Sequence, residues 1–193
     1  ILYFLTHEEE MLRLDFRKLR IRWEYLLGII KIGLPAGLQS MVFSLSNVVI
    51  QAAINSFGSD GIAGSTAEQN FEFMAYFVIN AFAQTATTFT SQNFAAQDKE
   101  RCKKIYRLCT FIGLASCFGL SLIFLIGRHL FIQIFSTDEN VIHYAMIRMW
   151  SVCLLELLTG VYEISGGCLR GMGHSMTPAV ITVLGTCVFR LVW

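Results

Sequence analysis

Glu156, Glu163 and Arg170 follow one another at intervals of seven residues in a stretch otherwise poor in charge. Seven residues carry an α-helix to within about 20° of two full turns, so all three share one face. A carboxylate on such a helix inside a bilayer must be paired, protonated or wet. Chemistry of that kind suits the reversible binding of a proton or a cation. The plainer reading is an internal salt bridge, for example between Glu163 and Arg190. A second pair, Glu68 and Glu72, stands at i,i+4. Glu68 fits a place at the membrane interface, which leaves Glu72 as the better site candidate.

The elements that must position these groups are membrane spans. Ile32–Ser59 holds 28 consecutive residues without Asp, Glu, Lys or Arg, Phe73–Gln97 holds 25, Leu108–Gly127 holds 20 and Gly171–Phe189 holds 19. A bilayer core about 30 Å thick needs roughly 20 such residues in a helix. With 54% apolar and 15% charged residues, the chain reads as an all-α integral membrane protein, a polytopic bundle of about five transmembrane helices. The spans fall near 27–56, 68–92, 108–125, 141–169 and from Pro178 onward, with Thr177 as the last helix's N-cap. Phe57–Ser65 reads as a short glycine-rich turn and Lys99–Arg107 as a basic connector. Residues 1–31 are polar and amphipathic, with Trp23 and Tyr25 where interfacial aromatics mark a membrane surface. Residues 32–193 form the transmembrane part. The first residue is not Met and the last apolar segment stops short, so the chain reads as a fragment of a longer, transporter-sized protein.

Arg13, Arg17, Lys18, Arg20, Arg22, Lys31, Lys99, Arg101, Lys103, Lys104, Arg107 and Arg170 fall on one side of this arrangement, and Arg128 with Arg148 on the other. Positive residues stay inside. Residues 1–31 are therefore cytoplasmic in a multi-pass plasma-membrane protein, and the first span runs outward.

Two spans carry polar stripes. Ser40, Ser44, Asn47, Gln51 and Asn55 fall within an arc of about 80° at the helical period. Gln69, Glu72, Tyr76, Asn80, Gln84, Thr87 and Ser91 fall within about 120°. Polar groups cannot face lipid cheaply, so both stripes face protein or water. Interhelical hydrogen bonding is one reading; a water- or substrate-filled cavity is the other. Asn47, Gln51, Tyr76, Asn80, Gln84, Glu72, Glu156 and Glu163 are accordingly the candidate substrate- or ion-binding residues.

Other chemistry finds little support. HExxH, GxSxG and Walker A patterns are missing, and His7, His129, His143 and His174 stand apart, which argues against an enzyme. The six cysteines, at 102, 109, 117, 153, 168 and 187, form no CxxC pair and read as apolar filler, so no metal site is expected. No nucleic-acid partner and no organic cofactor are expected.

Ile32-Gly33-Leu34-Pro35-Ala36-Gly37-Leu38-Gln39, then Phe57-Gly58 and Ile62-Ala63-Gly64, resemble the opening of a half-domain in multidrug and toxic compound extrusion (MATE) transporters. Thr88-Phe89-Thr90-Ser91-Gln92-Asn93 is similar to the end of that half's second helix. Where the family continues Gly-Ala-Gly, this chain has Ala95-Ala96-Gln97. Leu169-Arg170-Gly171-Met172-Gly173 with Thr177-Pro178 resembles the family's Leu-Arg-Gly-x-Gly turn, and Phe189-Arg190 its next span. Pro35, Arg170, Gly171, Gly173 and Arg190 thus mark the structural motif.

The resemblance implies a 12-helix protein of two six-helix lobes, of which this chain supplies helices seven to eleven of the second, the last cut short. The first lobe of the same chain is then the missing partner. The implied activity is export of small cationic or amphiphilic compounds in exchange for Na⁺ or H⁺, the coupling ion, by alternating access. Some sodium-coupled members place an acid eight residues after the equivalent of Pro35, where this chain has Phe43. The rival readings are a lipid-linked sugar flippase of the same superfamily and a membrane scaffold without transport of its own.

Overall fold

The computed structural model describes residues 20–188, with the side chains of Leu154 and of residues 186–188 excepted. Arg190 and the charged residues before Arg20 lie outside the described residues. Among the described residues every regular element is helical: α1 Trp23–Asn55, α2 Gly58–Ala95, α3 Lys99–Ile126, the short α4 Arg128–Gln133, α5 Glu139–Gly171 and α6 Met176–Thr182, which runs into a π-helical turn over Val183–Val188. The chain divides into two compact units, residues 1–31 and 32–193. All packing described below lies within the second.

α2 is the central element, packed along α5 and against α3, which also touch each other. Small residues make this closeness possible. A Cβ on Gly167 would stand 2.5 Å from the carbonyl oxygen of Ala83, and one on Gly171 2.5 Å from that of Thr87. Gly64 brings α2 equally near the backbone of Val141. Association in a bilayer rests on such van der Waals contact, because lipid tails are as apolar as leucine. Phe71, Phe124, Ile132, Ala145 and Met149 form one buried cluster and Ala83, Ala86, Cys109, Ile164 and Cys168 another. Meanwhile Leu38, Leu45, Phe77, Phe111 and Leu158 remain exposed, as residues that meet lipid must.

α1, α3 and the bent α5 (44° between Glu139–Cys153 and Leu155–Gly171) are long and apolar enough to cross a membrane. α2 fails that test by composition although its 38 residues are ample. Its polar stripe and its acids lower the hydropathy; Glu68 and Glu72 pair with Arg148 of α5, whereas Gln84 and Ser91 of the stripe are exposed. α6 fails by length.

Several boundaries differ from the sequence expectation. The turn expected over Phe57–Ser65 shrinks to Ser56–Phe57 because Gly58, at φ +80°, turns the chain and α2 starts there. The basic connector is helical: the Asp98 side chain accepts from Arg101 N at 2.9 Å and caps α3, so Lys99–Arg107 form its first turns. Ser175, not Thr177, precedes α6. Pro35, read at a helix entrance, stands well inside α1, where proline removes one backbone hydrogen bond.

Helix ends are closed by a recurrent geometry. At α5, Gly173 N donates to Arg170 O at 3.0 Å and His174 N to Leu169 O at 2.9 Å, with Gly173 at φ +85°. This is the Schellman arrangement, and it accounts for glycine in the Leu-Arg-Gly-x-Gly motif. α2 ends likewise, with Gln97 N on Phe94 O and Asp98 N on Asn93 O, both at 3.0 Å. Here the left-handed position is Gln97, at φ 61°.

Candidate functional site

The stripe of α2 and the heptad-spaced face of α5 meet, and acids from both helices form a ladder bounded by two arginines. At one end Arg148 Nε stands 2.6 Å from Glu68 Oε2, and Arg148 Nη2 donates to Glu72 Oε2 at 3.0 Å. Arg148 Nη1 also donates to Ser65 Oγ. Glu68 is 1% exposed. It is therefore a buried ion-pair member rather than the interfacial residue expected. Desolvation makes a lone carboxylate there costly, and Arg148 is the charge that offsets it.

At the other end Arg170 Nη2 reaches Glu163 Oε2 at 3.4 Å. The partner foreseen for Glu163 was Arg190; among the described residues it is Arg170, two turns along the same helix. The contact is longer than the roughly 2.7–2.9 Å of a strong charge-assisted hydrogen bond.

Glu156 lies between. It is 7% exposed, and its Oε1 has no hydrogen-bond partner. Among the described residues no cation comes within ion-pair distance of it.

Glu163 also opens on a cavity of about 160 Å³ between α1, α2, α5 and α6. Its walls include Ser40, Ser44 and Phe43 of α1, Tyr76 of α2 and Tyr162 of α5. Gln39 Nε2 donates to Thr182 Oγ1 at 3.1 Å, tying α1 to α6 across one side. The lining is one acid, hydroxyls, an amide and aromatic rings.

The structure thus gathers some sequence candidates and leaves others aside. Glu163 and Tyr76 line the cavity. Glu156 is buried but is not part of the cavity lining, and Glu72 is engaged by Arg148. Gln51 donates to Asn55 Oδ1 at 3.1 Å within α1. Asn47 and Gln84 are exposed and Asn80 is half-buried, all three outside the cavity lining. The stripe of α1 therefore splits: its Ser40–Ser44 part meets the cavity, whereas Asn47, Gln51 and Asn55 lie too far along the helix. Sequence reasoning missed Gln39, Tyr162, Thr182 and Arg148. The signal for Arg148 was available, since buried acids on α2 require a cation and α5 offers it at a helical register.

A protein-family model described as MatE matches residues 35–193. The chain is similar to the probable multidrug resistance protein YoeA of Bacillus subtilis, 22% identical over 171 residues, covering 86% of this chain and 36% of that protein. It is 20% identical over 191 residues to the probable multidrug resistance protein NorM of Thermotoga maritima, covering 99% and 41%. It is 23% identical over 185 residues to the multidrug export protein MepA of Staphylococcus aureus, covering 95% and 40%. The chain spans about two fifths of the length of these relatives.

Proposed function

The chain belongs to the MatE family, and we propose that it supplies part of one lobe of a multidrug efflux transporter. The cargo is cationic or amphiphilic, and export is coupled to inward movement of Na⁺ or H⁺ by alternating access. The names of its relatives support efflux of drugs.

One observation carries the cationic cargo: Glu163 faces a cavity whose other walls are hydroxyl, amide and aromatic. Aromatic faces and a carboxylate together attract an organic cation. The long contact with Arg170 leaves the Glu163 carboxylate open to exchange. A cation entering the cavity competes with Arg170 for it, and Arg170 takes it back when the cation leaves. Glu156, buried without a cation partner, is the natural place for the coupling ion or proton. Its occupation changes the net charge between α2 and α5 by one unit.

The full-length protein in an efflux-deficient host tests this reading. Wild-type cells are expected to extrude a fluorescent cationic dye, and a sodium or proton ionophore is expected to stop extrusion, identifying the ion. If dye accumulates equally with and without the protein, at verified expression, the drug-efflux reading fails. A lipid-linked sugar flippase is then the better account.

A further inference from the structure

A second cavity lies at the end of the bundle where α2 ends, α3 begins and α5 ends. It is an open groove of about 500 Å³. Phe94, Cys168, Leu169 and Met172 make its floor apolar, and Lys99 and Lys103 stand on its rim. Its hydroxyl groups are already hydrogen-bonded. Tyr106 and Ser165 hydroxyls lie 3.2 Å apart, Ser165 Oγ donates to Val161 O at 2.6 Å, and Thr90 Oγ1 meets Cys168 Sγ at 3.5 Å.

The rim is not satisfied. Lys103 Nζ pairs with Glu100 at 2.8 Å, but Glu100 is itself 84% exposed, and Lys99 has no ion-pair partner among the described residues. Five cations between Lys99 and Arg107 are met by two acids, Asp98 and Glu100. From Lys99 to Tyr106 the groove follows α3 for seven residues, about 10 Å at the helical rise. That is the distance from headgroup level into the acyl region. An apolar trough with ammonium groups at its interfacial mouth matches the shape and charge of one molecule class.

We propose that this groove binds an anionic phospholipid of the cytoplasmic leaflet, its phosphate held by Lys99 and Lys103 and one acyl chain lying over Phe94, Leu169 and Met172. A soluble anion has no use for the apolar floor. A packed helix of the same protein would have to bury Lys99 without a counter-charge, which is costly. An anionic lipid satisfies both halves at once, and surface cations favour such lipids by roughly fivefold each.

The test uses the full-length protein in lipid nanodiscs with Phe94→Trp as a reporter, corrected for the protein's native tryptophan signal. Phosphatidylglycerol with brominated acyl chains is expected to quench it at a mole fraction at least fivefold lower than brominated phosphatidylcholine. Lys99→Gln with Lys103→Gln should abolish that preference, and Lys104→Gln with Arg107→Gln, which removes equal charge off the groove, should leave it. Equal quenching by the two lipids would overturn the proposal. So would loss of preference in the Lys104/Arg107 pair, which means diffuse surface attraction. Quenching by neither lipid would show that another segment of the protein covers the groove, and would overturn it too.

Discussion

Arg148 on α5 and Glu68 on α2 form a buried ion pair, Nε to Oε2 at 2.6 Å, with Glu68 1% exposed. Glu72, one turn along α2, completes the cluster. The two helices are thereby held in one register where the ladder of acids begins.

Removing one partner of a buried pair leaves an uncompensated charge and typically costs about 3–5 kcal/mol. Arg148→Met is expected to destabilise the full-length protein by that order, read as thermal unfolding in detergent. Combining it with Glu68→Gln should recover part of the loss, since the more deeply buried of the two orphaned carboxylates is then gone while Glu72 remains. No change in the single variant would mean that the pair holds nothing together.

Close approach at Gly171 gives a second expectation. A side chain there meets the Thr87 carbonyl, and backbone cannot yield as a flexible side chain can. Gly171→Val should cost about 1–3 kcal/mol through overpacking, again by thermal unfolding. Gly119, with nothing within 4 Å of its Cβ position, serves as the control. Gly119→Ala should match the parent or stabilise it by up to about 1 kcal/mol.

Gln97 occupies a left-handed conformation at φ 61°, for which a side chain pays about 1 kcal/mol relative to glycine. Gln97→Gly is expected to raise stability by about 1 kcal/mol, and the melting temperature should rise. A fall would mean that the Gln97 side chain holds a contact worth more than the strain.

The helices were legible because charge-free runs and their breaks survive in any bilayer protein. The ends were less so. Asp98 as a cap and Gly58 at positive φ moved α3 and α2 outward from the apolar limits, since caps depend on local hydrogen bonds that hydropathy does not weigh. In the site, Glu163 and Tyr76 were legible from period alone because both lie on stripes facing inward. Arg148 escaped because a single cation near a helix end looks like a surface residue until its partners on another helix are placed. Gln39 and Thr182 meet across 143 positions of sequence, a contact that no single-helix periodicity encodes. Asn47 and Gln51 share the right face of α1 but the wrong height, a coordinate that an angular argument discards.

The most direct measurement is dye export by the full-length protein carrying Glu163→Gln, at expression matched to wild type, with Arg170→Gln beside it. A carboxylate that exchanges between Arg170 and a cation predicts that Glu163→Gln lowers the export rate at least tenfold. Arg170→Gln should keep dye binding while slowing release, so that its apparent dye affinity rises as its maximal rate falls. Export unchanged by Glu163→Gln would contradict the account and reduce the Glu163–Arg170 contact to a structural one.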